Sequence, residues 1–257
     1  MLARQRQEVI LEQVRDRGGA KVSDLVGLLG VSDMTVRRDI AVLAGRGLVT
    51  RVHGGATAAR SSVDEPGFAA SALLHVEQKR AIARAAAQLV EPGASVALSA
   101  GSTTHAVAAA LADTPDLTVV TNSLRVAEVL HDAGRRDLTV VLTGGVRTPS
   151  DALVGPVAVE ALRELHVDWL LLGVHGMDVR AGFTTPNLVE AETDRALVAS
   201  ARQVAVVADS SKWGVVGLST ITPLDGADVL VTDDGLAPDA HEALAERCEV
   251  RFAPVSA

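Results

Sequence analysis

The sequence contains a single cysteine, three phenylalanines, two tryptophans and no tyrosine in 257 residues. One cysteine, Cys248, excludes an intramolecular disulfide and any cysteine zinc cluster. With aromatics at 2%, a core has to be built from Val, Leu, Ile and Ala. No stretch approaches the roughly 18 uninterrupted apolar residues of a membrane helix, and no apolar run follows the basic start. A soluble cytoplasmic protein, without signal peptide or membrane span, is expected. Internal repeats and low-complexity tracts are also missing, apart from alanine-rich helical segments. Apolar content is plentiful: 48% of residues are hydrophobic and the mean hydropathy is +0.26. The length accommodates two domains, a small one and one of about 190 residues.

Positive charge is scarce overall, with a net −8, but it is not evenly scarce. Through Arg60 there are ten Lys and Arg against six Asp and Glu, a net +4; the remainder has fourteen against twenty-six, a net −12. A basic head on an acidic body is the footprint of a nucleic-acid reader, because each neutralised phosphate releases counterions.

Within that head, residues 31–56 are the most informative. Ser32 is a good N-cap. Val36, Ile40 and Leu43 recur at i, i+4 and i+7 and form one apolar stripe. Met34, Arg38 and Ala41 then lie on the opposite face, flanked by Thr35 and Arg37, while Asp39 falls nearer the buried stripe. Gly45 and Gly47 stop the helix. Before it, Ser23 is placed to cap a short segment with Leu25, Leu28 and Leu29 on one face, and Gly30 can end it in the left-handed conformation. Leu2, Val9, Ile10 and Val14 line a first helix ending near Gly18-Gly19. Residues 48–52 alternate as a strand, and His53-Gly54-Gly55 turns it. Two helices joined by a tight glycine turn, the second with an outward basic face, followed by a hairpin, make a winged helix-turn-helix. A plain three-helix bundle with a solvated charged face is the alternative, and the charge distribution weighs against it.

Val31-Ser32, Thr35-Val36-Arg37-Arg38-Asp39, Gly47-Leu48-Val49, Arg51 and His53-Gly54-Gly55-Ala56 together resemble the signature of the DeoR family of bacterial transcriptional regulators. The resemblance implies a winged helix whose Arg-Arg helix enters the major groove. The candidate DNA-binding residues are Ser32, Met34, Thr35, Arg37, Arg38, Arg51 and His53.

A small, polar stretch closed by Pro66-Gly67 suits a linker. The expected organisation is a small α+β winged-helix domain over 1–57, a linker over 58–74 and an α/β domain over 75–257. In the last, helices over 77–90, 104–111 and 123–131 alternate with apolar strands over 95–98, 117–121, 138–142, 167–172, 203–208 and 229–232. That alternation predicts a mostly parallel sheet covered on both faces, with ligands at the carboxyl ends of its strands. The strand ends are rich in small polar residues: 99–104, Thr121-Asn122-Ser123, Thr143-Gly144-Gly145, Gly173-Val174-His175-Gly176, Gly182-Phe183-Thr184-Thr185 and Asp209-Ser210-Ser211-Lys212. Several such turns with one lysine suggest a site for a phosphorylated sugar or polyol.

The DeoR resemblance runs on to about Gly235, through Leu142-Thr143-Gly144-Gly145, Leu153-Val154-Gly155-Pro156 and Asp209-Ser210-Ser211-Lys212. It implies an effector domain similar to ribose-5-phosphate isomerase, with a phosphate loop at Gly101, Ser102 and Thr103 and Lys212 near the phosphate. The candidate effector residues are Ser99, Gly101, Ser102, Thr103, Thr104, Asn122, Gly144, His175, Asp194 and Lys212. Ser99 and His175 stand where the family usually has Asp. The isomerase's catalytic loop is replaced by residues 182–187, and Asp194 reads as a solvated helix acid. The site therefore reads as built to bind and not to convert, with no metal or cofactor.

The expected function is a sequence-specific regulator, a repressor, of a carbohydrate or polyol operon. It would bind double-stranded operator DNA as a homodimer or homotetramer under control of a phosphorylated effector. A sugar-phosphate isomerase or CoA-transferase type of enzyme with a DNA-binding head is the alternative; a winged helix used for protein contact is a third reading, disfavoured by Arg37 and Arg38.

Overall fold

A computed structural model describes residues 2–17, 19–45, 48–52, 54–58 and 67–255. The chain divides into two compact units, 1–61 and 62–257.

The first unit runs α1 (Ala3–Arg17), β1 (Gly19–Lys21), α2 (Val22–Leu29), α3 (Asp33–Gly45), β2 (Val49–Val52) and β3 (Gly55–Ala58). Its core collects Ile10 and Val14 from α1, Val22, Leu25 and Leu29 from α2, and the expected stripe Val36, Ile40 and Leu43 from α3, closed by Val49 and Ala56. Leu2, expected on the buried face, precedes the helix and is exposed. Gly30 (φ 63°) ends α2, its N–H donating to Val26 O. Ser23 does not cap α2. The helix starts one residue earlier, and the N–H of Val22 is satisfied by Gly54 O in the wing turn at 2.8 Å. A third strand, β1, pairs antiparallel with β3 and was not legible in the three residues Gly-Ala-Lys. Gly55 is needed there, because a Cβ would sit 2.3 Å from Ala20 O.

The second unit continues α4 (Phe68–Ala72), α5 (Val76–Ala87), β4 (Ser95–Leu98), α6 (Ser102–Leu111), β5 (Thr118–Thr121), α7 (Leu124–Asp132) and β6 (Thr139–Leu142). It goes on through β7 (Val146–Arg147), β8 (Leu153–Val154), α8 (Pro156–Leu162), β9 (Val167–Gly173), β10 (Gly176–Asp178), β11 (Gly182–Thr185), α9 (Leu188–Ser200) and β12 (Ala201–Val207). The last elements are β13 (Ser219–Thr222), β14 (Val229–Asp233), α10 (Pro238–Ala245) and β15 (Glu249–Ala253). Seven strands form a parallel sheet in the order β15-β14-β12-β9-β4-β5-β6.

Side chains alternate across this sheet. Val96 and Leu98 pack with Ile82 of α5, Val107 of α6 and Leu130 of α7 on one face. Ala97 joins Leu162 of α8, Leu197 of α9 and Leu244 of α10 on the other. From β4 the chain steps outward to β5 and β6, then returns to β9 on the other side of β4. The strand order reverses there, which opens a crevice at the carboxyl ends of β4 and β9. Residues 68–72, expected in the linker, are helical instead and dock on this unit: the Phe68 ring meets His105 edge-on at 5.3 Å, with Arg125 5.5 Å above it.

Candidate functional site

On α3, Ser32 accepts a hydrogen bond from Thr35 N through its hydroxyl (3.3 Å), and its carbonyl accepts from Val36 N (3.1 Å). The cap fixes where the helix begins and hence which residues face out. Met34 is 78% exposed, and Arg38 is exposed with no ion pair among the described residues. Arg37 is exposed too, but its Nε reaches Asp33 Oδ1 one turn back at 2.5 Å. Thr35 is half-buried, and its hydroxyl lies 2.9 Å from that of Ser32. Arg51 projects into solvent from β2. His53 lies outside the described residues. Asp39 turns inward, accepting from Arg6 Nε at 2.7 Å and Gln7 Nε2 at 3.2 Å, which ties α1 to the back of α3. One side of this helix is thus a packed, ion-paired anchor and the other an open cationic face.

In the second unit a cleft of about 100 Å³ occupies the crevice beyond β4 and β9. Its floor is Ala100, Gly101, Ser102 and Thr103 at the start of α6. Gly101 has φ 147°, a conformation that favours glycine, and the chain enters the helix with its first amides unpaired within it. Gly173, Val174 and His175 supply one wall, Thr185 and Pro186 another, and Lys212 approaches from the 3₁₀ turn after β12. Of the sequence-predicted residues, Gly101, Ser102, Thr103, His175, Asp194 and Lys212 meet here.

Four others do not line the cleft. Ser99 is buried, its Oγ accepting from Gly173 N at 2.9 Å and so stitching the ends of β4 and β9 together. Asn122 is fully buried; its Oδ1 accepts from Ala100 N (3.0 Å) and its Nδ2 donates to Leu153 O (3.3 Å). Thr104 donates to Gly101 O at 3.0 Å. These three shape the loop with hydrogen bonds already spent. Gly144 follows β6 at the sheet edge, two strands from the switch point.

Asp194 corrects its expectation as a solvated acid: it is 4% exposed on the inner face of α9, one turn from Glu190, which is also buried. Burial drives its pKa well above the usual carboxylate range, Glu190 adds to the rise and Arg195 opposes it. Glu190 accepts from Ser150 Oγ (3.4 Å) and Thr185 Oγ1 (3.3 Å). Sequence reading missed Glu190, although Glu-x-x-x-Asp on one helix puts both groups on the same side.

Lys79 was missed as well. It is 6% exposed, and its ammonium donates to Ser71 O (2.5 Å) and Leu74 O (2.7 Å). Burial lowers its pKa to about 8; Asp209 pulls it back up and Lys212 pushes it further down. A charged side chain inside a helix with an apolar stripe was the available signal. The lining of the cleft therefore combines two lysines, Lys79 and Lys212, and the first residues of α6 with two acids, Glu190 and Asp194. Such a set can hold both an anion and hydroxyl groups.

Residues 6–62 match the family model described as the DeoR-like helix-turn-helix domain, and residues 74–234 match that of the DeoR C terminal sensor domain. The chain belongs to the DeoR family. Among curated relatives it is 38% identical to the HTH-type transcriptional regulator GlpR of Haloferax volcanii over 95% of each chain. It is 33% identical to the HTH-type transcriptional repressor CsqR of Escherichia coli, over 96% of this chain and 94% of that one. It is 32% identical to the glycerol-3-phosphate regulon repressor of Escherichia coli, over 89% and 90%. Among solved structures it is similar to ribose 5-phosphate isomerase A of Neisseria gonorrhoeae, at 18% identity and a TM-score of 0.39 over 55% of this chain and 54% of that one. As a DeoR-family chain it is a DNA-binding transcription regulator, and among the described residues no helix is long and apolar enough to cross a membrane.

Proposed function

We propose that this DeoR-family chain is a repressor of a carbohydrate or polyol operon, released from its operator by a phosphorylated sugar or polyol. The observation that carries the reading is the polarity of the cleft. A phosphate dianion at the α6 N-terminus gains amide hydrogen bonds, the helix dipole and two lysines. The hydroxyls of the same molecule then reach Glu190 and Asp194. Burial raises the pKa of Asp194, which favours the protonated, hydrogen-bond-donating form beside Glu190. On the DNA side, Arg38 and Met34 read base edges in the major groove, with Arg37 and Arg51 on phosphates. The repressor titles of CsqR and of the glycerol-3-phosphate regulon protein support the sign of regulation.

The test is a thermal-shift screen of the full chain against phosphorylated sugars and polyols, followed by operator gel shifts with every stabilising compound. A cognate effector at a hundredfold excess over Kd adds about 2.7 kcal/mol of stability and releases the DNA. Lys212→Ala is expected to lose about 1.5–3 kcal/mol of effector affinity, the worth of hydrogen bonds to a charged group, while operator binding without effector stays as in the wild type. Unchanged effector affinity in a folded Lys212→Ala variant refutes the cleft assignment.

The buried Glu190–Asp194 pair favours one other reading, a sugar-phosphate isomerase, since a buried acid with a raised pKa beside a second carboxyl suits proton transfer at carbon. Turnover of ribose 5-phosphate that disappears in Asp194→Ala would establish it. The absence of the isomerase's catalytic loop at 182–187 argues for binding without conversion.

A further inference from the structure

The two edges of the seven-stranded sheet are built differently. At one edge β15 carries Glu249 and Arg251, ion-paired at 2.6 Å, on a strand of alternating charge. Charges of this kind protect an edge from pairing with another strand. At the other edge β6 reads Thr-Val-Val-Leu, and the run from Leu138 to Gly145 holds no charged residue in a chain whose net charge is −8. Val141 is 38% exposed and Leu142 42%. Among the described residues no strand pairs with the outer side of β6. Beside it a groove of about 560 Å³ opens toward α7, with Leu124, Leu130, Leu138 and Leu142 in its lining and Glu128, His131 and Arg135 among the same lining residues.

We infer that β6 is the two-fold interface between copies of this chain, pairing antiparallel with the β6 of a second copy so that the sheets become continuous. The hydrogen-bond parity of the strand sets the register. Thr139 N donates to Leu117 O and Thr143 N to Thr121 O, so residues 139, 141 and 143 spend their backbone groups on β5. Val140 and Leu142 therefore turn their N–H and C=O outward. An antiparallel pair centred on Val141 matches Val140 with Leu142 of the second copy, twice, and exchanges those free groups. Val141 then meets Val141 of the second copy, and Thr139 meets Thr143, both favourable cross-strand pairs. Asp137, the charge nearest to the strand, falls opposite the uncharged Gly145. A two-fold axis normal to the sheet also brings the second copy's α7 to the same face, over this groove. The pairing strand itself carries none of the chain's excess negative charge, so its backbone groups can meet without like-charge repulsion along the strand.

Two independent readouts on the full chain test the register. First, the mass in solution is measured by light scattering at micromolar concentration. Val141→Lys, which sets two ammonium groups face to face, is expected to halve the wild-type mass, and mixing it with Val141→Glu is expected to restore it. Arg251→Glu, at the opposite edge, is expected to leave the mass unchanged. Second, under oxidising conditions Val141→Cys is expected to give a covalent dimer. Facing residues of a non-hydrogen-bonded antiparallel pair have Cα atoms about 4.5 Å apart, within disulfide range. Val140→Cys, whose counterpart is displaced along the strand, is expected to stay uncross-linked, as is the wild type with Cys248 alone. A monomeric wild type, a folded Val141→Lys chain of undiminished mass, or equal cross-linking at 140 and 141 overturns the proposal. If Val141→Lys fails to fold, the cysteine pair decides.

Discussion

Arg38 and Lys79 carry the same charge in opposite circumstances. Arg38 stands in water on the outer face of α3, with no ion pair among the described residues. Lys79 is buried, holds two main-chain carbonyls and has its pKa lowered to about 8 by loss of solvent. The outer face of α3 keeps Arg38 solvated until a polyanion arrives; water and salt screen it, and binding releases counterions. The second unit holds cations partly desolvated in advance, so a small anion meets a charge that water does not compete for. In the proposed function, a long, regular ligand is matched by an open face on one helix, and a small one by a cleft assembled from several chain segments.

The largest effect that sharpens this contrast is expected from the back of the reading helix. Removing the carboxylate in Asp39→Ala breaks the mostly buried ion pair that Asp39 makes with Arg6 at 2.7 Å, and breaking such a pair costs about 3–5 kcal/mol. The melting of the first unit is expected to fall by several degrees while effector binding to the second is retained, read by differential scanning calorimetry with and without effector. Equal loss in both units would show that the two do not fold independently.

Next comes the open face. Arg38→Ala is expected to cost about 1–3 kcal/mol of operator affinity and to relax sequence preference at one base pair. Arg51→Ala is expected to weaken all sequences alike and to lower the salt slope by about one. Fluorescence anisotropy over a salt series separates the two, and wild-type affinity in both variants would reject this orientation of the winged helix.

The smallest effect is a pH dependence carried by Lys79. Below about pH 8 the lysine in the cleft is charged; above it the proton leaves, and affinity for a phosphate is expected to fall several-fold by pH 9. The free protein responds in the other sense. Between about 8 and the ordinary 10.5 the unfolded lysine still binds its proton and the folded one does not, so stability from this group rises with pH across that window. Both trends are expected to disappear in Lys79→Met, by calorimetric titration and by melting curves over the same range.

Much of the fold was legible in the chain itself. The period of Val36, Ile40 and Leu43 gave α3 its buried side, and capping chemistry at Ser32 gave its start. Short β-branched runs between amphipathic helices gave the parallel sheet. These are local properties, carried by neighbours a few residues apart. The basic head and acidic body were likewise written in composition. For this reason the open face, which needs only one helix and its phase, was read almost residue by residue.

The tertiary structure decided the rest. Whether Asp194 faces water or the interior depends on what packs against α9, and the same holds for Glu190 one turn away on that helix and for Lys79 on α5. Ser99, Asn122 and Thr104 have the residue types of ligand contacts, yet their polar groups are consumed by backbone more than twenty residues away or by their own loop. β1 and β15 exist because β3 and β14 offer them edges, which no run of three or five residues announces. Hydrogen-bond demand and burial are set by contacts across long sequence separations. The sequence by itself therefore determined the elements and the open face of this protein, and only the packing of the sheet and its helices decided which side chains share the cleft.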